Sequence, residues 1–123
     1  MNTLKRKVNN VKKYIPLKET TEKTAYKANY LRVELYYDKG GYDYMSYRQK
    51  PRGFYLSVTP VFRENKGTYT TEMFGAFSGY KQLILEVNRF SDKQYNKAYD
   101  LSRSYETLMV NRILKENNLT LAD

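Results

Sequence analysis

The chain has 123 residues and a net charge of +9, enough length for one modest hydrophobic core and not for two. It contains neither cysteine nor histidine, which excludes disulfides, zinc–thiolate sites, imidazole metal sites and histidine acid–base catalysis. That removes most hydrolases, histidine-metal nucleases, and relaxases that pair a tyrosine nucleophile with a histidine-bound metal.

Residues 1–28 hold eight Lys or Arg against two Glu, so most of the positive surplus belongs to this segment. They read as a basic N-terminal arm and loop, followed by a single α+β domain over 29–123. In the arm, Leu4, Val8, Val11 and Ile15 recur at helical intervals among Lys5, Arg6, Lys7, Lys12 and Lys13. The spacing fits a short basic amphipathic helix ended by Pro16, or an arm that orders on binding. Either form suits an anionic partner, whereas solubility alone is the plainer explanation. KETTEKTAYKAN (18–29) is polar and reads as a loop.

From Tyr30 the period becomes two. Leu31, Val33, Leu35 and Tyr37 share one face of a strand, and Arg32, Glu34 and Tyr36 the other. DKGG predicts a hairpin turn, GYDYMSYRQ a second strand, and KPRG a further turn. FYLSVTPVF is the third strand, and Pro60 within it predicts an edge position or a bulge. TYTTEMFGAF is a fourth strand, with Gly75 as a bulge or close approach. SGYKQLILEVNRF gives a fifth, with Leu83, Leu85 and Val87 on one face.

Ser91 opens the clearest element. SDKQ has the capping-box form, and Tyr95, Ala98, Tyr99, Ser102, Tyr105, Met109 and Ile113 recur at three- and four-residue steps. The pattern predicts a helix of about 25 residues that frays near Asn117 and Asn118. The expected fold is an antiparallel β-meander of four to five strands with one long C-terminal helix packed on it, and a basic N-terminal arm.

No motif assembles a nucleophile, a base and an orienting group. KGG and SGYK lack phosphate-loop spacing, and Asp38, Asp43, Glu34 and Glu86 read as surface charges with no cofactor or metal in prospect. The expectation is therefore a protein without enzyme activity. Binding chemistry is better represented. Tyr36, Tyr42, Tyr44, Tyr47 and Tyr55 lie among Arg48, Lys50, Arg52 and Arg63, with Lys39 in the preceding turn. Aromatic rings displayed among cations stack bases and hold phosphates. The plain alternative is that alternating tyrosines simply build a two-sided sheet, and a protein-contact face is the third option. The contact residues expected here are Lys5, Arg6, Lys7, Lys12, Lys13, Lys39, Tyr42, Tyr44, Arg48, Lys50 and Arg52.

Three blocks, KYIPLKETTEKTAYKANYLRVELYYDKGGYDY (13–44), PRGFYLSVTPV (51–61) and GAFSGYKQLILEV (75–87), resemble small proteins carried by plasmids and conjugative elements of Gram-positive bacteria. Such proteins include anti-CRISPR inhibitors of the type II CRISPR nuclease, a class this chain resembles in size and lack of enzymatic apparatus. The resemblance implies a cytoplasmic partner in the host cell, namely that nuclease, its guide RNA, or both. A charge of +9 suits contact with guide RNA better than mimicry of DNA. The second expectation is a single-stranded nucleic-acid-binding accessory protein of the element, and the third a homodimer. No run approaches the roughly 20 apolar residues of a membrane span, so no membrane partner is expected.

Overall fold

The computed structural model describes residues 10–18, 27–44, 46–74, 80–88 and 95–122. Its architecture is an antiparallel sheet with one C-terminal helix, an α+β fold. The main sheet contains β1 (Asn10–Pro16), β2 (Tyr30–Asp38), β5 (Gly53–Asn65), β6 (Thr70–Phe74) and β7 (Leu83–Asn88). A separate two-stranded hairpin is formed by β3 (Gly41–Asp43) and β4 (Arg48–Lys50), and α1 spans Tyr95–Asn117.

β5 is the middle of the sheet, not an edge. It pairs with β2 along one side from Gly53 to Val61. Along the other it pairs with β7 over Phe54–Val58 and with β6 over Val61–Asn65. Thr59 and Pro60 fall between these two partners. Pro60 has no N–H to donate, so the break between β7 and β6 is where a proline costs a central strand least. That resolves the proline differently from the edge or local bulge its chemistry suggests. The one register irregularity on this side lies between Phe54 and Tyr55.

Register divides the side chains by face. Leu31, Val33 and Leu35 of β2 stand opposite Pro60, Val58 and Leu56 of β5, while Leu83 and Leu85 of β7 stand opposite Val58 and Leu56. Ala98, Ser102, Met109, Val110 and Ile113 of α1 are buried over this face. Each fully buried aliphatic or aromatic side chain here contributes about 2 kcal/mol to folding. Tyr99 and Tyr105, which share the helical spacing, sit instead on the exposed flanks of α1. The side chain of Tyr95, the Ser91 cap and Gly75 lie outside the described residues.

Three further local expectations change. GYDYMSYRQ is not one strand but the two short strands β3 and β4, paired antiparallel across a turn between Asp43 and Arg48. Asn10–Pro16 is an edge strand paired with β2 and not a helix. The helical spacing coincides with a strand alternation in which Lys13 occupies an inward position beside Ile15. The helix end is also capped, not frayed. Asn118 adopts φ +54°, Leu119 N–H donates to the Leu114 carbonyl at 2.9 Å, and Asn118 N–H reaches the Lys115 carbonyl at 3.5 Å. This is a Schellman turn, which asparagine can enter because it tolerates the left-handed region. Beyond it, Ala122 N–H donates to the Pro16 carbonyl and Lys18 N–H to the Thr120 carbonyl, so the C-terminal tail pairs with the end of β1.

Ile113 is fully buried whereas Leu108 is 70% exposed. Ile113→Ala should therefore lower unfolding free energy by about 3 kcal/mol, and Leu108→Ala by no more than about 0.5 kcal/mol. Urea denaturation of the two variants checks this. Equal losses would mean that α1 docks by a different face.

Candidate interaction surface

The chain leaves the sheet at Asp38. Its Oδ1 accepts the Gly40 N–H at 2.8 Å, and its Oδ2 lies 2.9 Å from Lys50 Nζ. Gly40 has φ +78°, and a Cβ there would stand 2.8 Å from both the Lys50 carbonyl oxygen and the Arg52 nitrogen. Only glycine allows the chain to enter β3 beneath the end of β4. Lys50 Nζ lies 4.6 Å from the Tyr55 ring centroid and 5.6 Å from that of Tyr36, two rings stacked at 5.8 Å. Tyr55 Oη donates to the Pro51 carbonyl at 2.5 Å. The base of the β3–β4 hairpin is thus clamped to the sheet by one cation, one carboxylate and two rings.

Electrostatics follow from that clamp. Burial disfavours the Asp38 carboxylate, but hydrogen bonds from Lys50 and Gly40 and the Lys50 charge outweigh it and hold the carboxyl below its ordinary value. Burial also disfavours the Lys50 ammonium, yet Asp38 and the neighbouring tyrosine oxygens keep it above the ordinary lysine value. Burial, opposed by the Lys50 charge, pushes Tyr36 up, and burial and the Glu86 charge do the same for Tyr55.

The sheet face away from α1 is occupied by its own side chains. Glu72 accepts Tyr14 Oη at 2.7 Å and Arg32 Nη1 at 2.8 Å, and lies 3.4 Å from Arg63 Nε. The Arg63 guanidinium stands 3.8 Å from the Tyr14 ring centroid, and that of Arg32 4.5 Å from Phe74. Rings covered in this way offer little to a stacking base. Tyr36, Tyr55, Arg63 and Lys50 belong to the internal construction of this face.

The hairpin tip differs. Tyr42, Tyr44 and Tyr47 are 50%, 78% and 79% exposed, and no cation covers their rings among the described residues. Tyr42 and Tyr44 meet edge to face at 4.8 Å. Tyr47 takes φ +56° in a turn braced by Ser46 Oγ donating to Asp43 Oδ2 at 2.9 Å. Lys39, Arg48 and Arg52 are exposed on the same hairpin and pair with no carboxylate among the described residues.

The expected contact residues therefore do not form one site. Lys39, Tyr42, Tyr44, Arg48 and Arg52 come together at the hairpin, with Tyr47 beside them, whereas Lys50 is held inward. Lys12 projects onto the open face 4.0 Å from Glu34, and Lys13 projects the other way to Glu106 at 2.5 Å. Lys5, Arg6 and Lys7 lie outside the described residues. Glu72 is the organising acid that the sequence did not mark. Arg63 faces it across the β5–β6 pair, but Arg32 and Tyr14 are 40 and 58 positions away, and no spacing rule covers such distances. Among the described residues, no three acidic side chains converge as a metal site, and no helix is long and apolar enough to cross a membrane.

The clamp has a defined pH window. Asp38, depressed in the fold, contributes stability that is whole above about pH 4 and is lost as pH falls through its folded value. Lys50, raised in the fold, contributes stability that is whole below about pH 10.5 and is lost as pH rises through its folded value. The Gly40 amide resonance should shift on acidification from pH 6 to pH 3, and Asp38→Asn should flatten that titration. An unchanged Gly40 titration in the variant would place the acid transition elsewhere. No protein-family model matches this chain, and neither the curated proteins nor the solved structures contain a match.

Proposed function

We propose that the protein is a non-catalytic RNA-contacting inhibitor that docks its β3–β4 hairpin on the guide-RNA complex of the type II CRISPR nuclease. The observation that carries the RNA contact is the segregation of uncovered rings and unpaired cations. On the sheet, aromatics are covered by Arg32, Arg63 and Lys50, whereas at the hairpin Tyr42, Tyr44 and Tyr47 stand exposed beside Lys39, Arg48 and Arg52. Free ring faces stack unpaired bases at about 1–3 kcal/mol per base. Unpaired cations exchange the counterions of phosphates, and a hairpin fixed at its base loses little entropy on docking. The resemblance to element-borne proteins supplies the identity of the RNA.

The second reading, a single-stranded nucleic-acid accessory protein, is favoured by the same three rings, because stacking is indifferent to sequence. The two differ in what happens without the nuclease. On the first reading, protein added to the nuclease–guide complex lowers target cleavage, and Arg48→Glu with Arg52→Glu weakens inhibition about tenfold or more. On the second, cleavage is unaffected and free single-stranded RNA binds with a log–log salt slope near −2, for about three phosphate contacts. Cleavage and fluorescence anisotropy measured on one preparation separate them. Loss of neither activity in the double variant would remove the hairpin as the contact.

A further inference from the structure

The β1 edge offers a different kind of contact from the tyrosines of the β3–β4 hairpin. Among the described residues β1 ends the sheet on one side, with β2 as its strand partner. Leu17 N–H donates to Asn29, so residue 17 turns its backbone groups inward, whereas Pro16 and Lys18 turn theirs outward to the tail. Strand alternation then directs the N–H and C=O groups of Lys12 and Tyr14 outward as well. No described backbone group takes them. The tail shows that this edge accepts an antiparallel strand, and its pairing covers only Pro16–Lys18.

Beside this edge a cleft enters between the sheet and α1, over side chains that are themselves buried. A groove of about 390 Å³ opens there, floored by Val33, Leu35 and Leu56 and walled by Tyr99, Ser102 and Arg103. The Lys13–Glu106 ion pair crosses it. Outward backbone groups along an edge, next to a slot with an apolar floor and polar walls, are the two components of peptide recognition by strand addition.

We propose that β1 and this groove bind an extended, acidic segment of a partner protein, which adds to the sheet antiparallel to β1 and places an aliphatic side chain over Val33 and Leu35. Charge selects the occupant. Lys12 and Lys13 at the edge are matched by Glu34 and Glu106, whereas Arg103 on the groove wall pairs with no carboxylate among the described residues, so the groove carries one positive charge in excess. A second copy of the chain would bring the same positive excess, its own Arg103 included, which like-charge repulsion opposes. An alternating acidic and aliphatic strand meets Arg103 and the slot together.

The test uses the full chain, isotope-labelled, with a fluorescent nonapeptide of alternating Glu and Val and a control of alternating Lys and Val. The acidic peptide should shift the amide resonances of Lys12 and Tyr14, and the basic control should not. Lys12→Pro removes one outward N–H together with the Lys12–Glu34 pair, so Lys12→Ala is its control: both should keep the unfolding midpoint, and only the proline should weaken binding about tenfold. Should the proline variant fail to fold, the wild-type chain with a peptide N-methylated on its ladder-facing amides gives the same test, with binding expected to vanish. Absent binding at about 1 mM peptide overturns the assignment, as does binding indifferent to N-methylation or shifts confined to other elements. Concentration-dependent self-association through β1 overturns it in favour of a second copy.

Discussion

One helix cannot cover both faces of a five-stranded sheet, and the arrangement of polar groups follows from that constraint. α1 lies over Leu31, Val33, Leu56 and Val58. Among the described residues the reverse face has no second layer, yet Tyr55, Ser57, Thr59 and Val61 of β5 are buried there too. Long side chains from neighbouring strands lie over them and form the missing layer. Arg32 and Arg63 extend across the surface toward Glu72, with their guanidinium planes on Phe74 and Tyr14. Such a layer buries hydrocarbon stems while its charges compensate one another. It also places charges where losing one partner leaves others poorly solvated.

This construction explains why a tyrosine-rich, basic sheet is not by that fact a nucleic-acid surface. A ring that already holds a guanidinium has its attractive face occupied, and an arginine already shared with a carboxylate has little charge left for phosphate. Lys50 carries the same logic to the hairpin. By settling between Asp38 and the Tyr36–Tyr55 stack it fixes the base of β3–β4, and the tip is left as the place where rings and cations have no internal use.

The legibility of the fold tracks how many faces each segment must satisfy. β2 was readable because Leu31, Val33 and Leu35 are buried on alternate positions while Arg32, Glu34 and Tyr36 are half-buried on the other side. β5 was readable as a strand but not as the central one, since Pro60 argues locally for an edge and only the β7–β6 break shows how it is accommodated. β1 reads as a helix because Lys13, an inward position, reaches the groove to meet Glu106 and so breaks the apolar alternation. GYDYMSYRQ reads as one strand because tyrosines alternate in both halves of a tight hairpin. Among the contact residues, composition identified the basic and aromatic stretch. It could not tell Lys50 from Arg48, because the difference lies in Asp38 and Tyr55 being folded against one and not the other.

The two proposed surfaces differ in what they ask of a ligand. The hairpin presents rings and charges on a projecting turn, with no backbone ladder and no apolar slot, and so suits a flexible polyanion whose bases can be displayed one at a time. The β1 edge presents backbone donors and acceptors in strand register beside an apolar groove, and so suits a chain that can become a strand. A nucleic acid cannot supply the ladder, and a strand gains little from three separated rings. Fixed to one sheet, the two surfaces can act on the RNA and the protein of a single ribonucleoprotein, where each contact raises the effective concentration of the other.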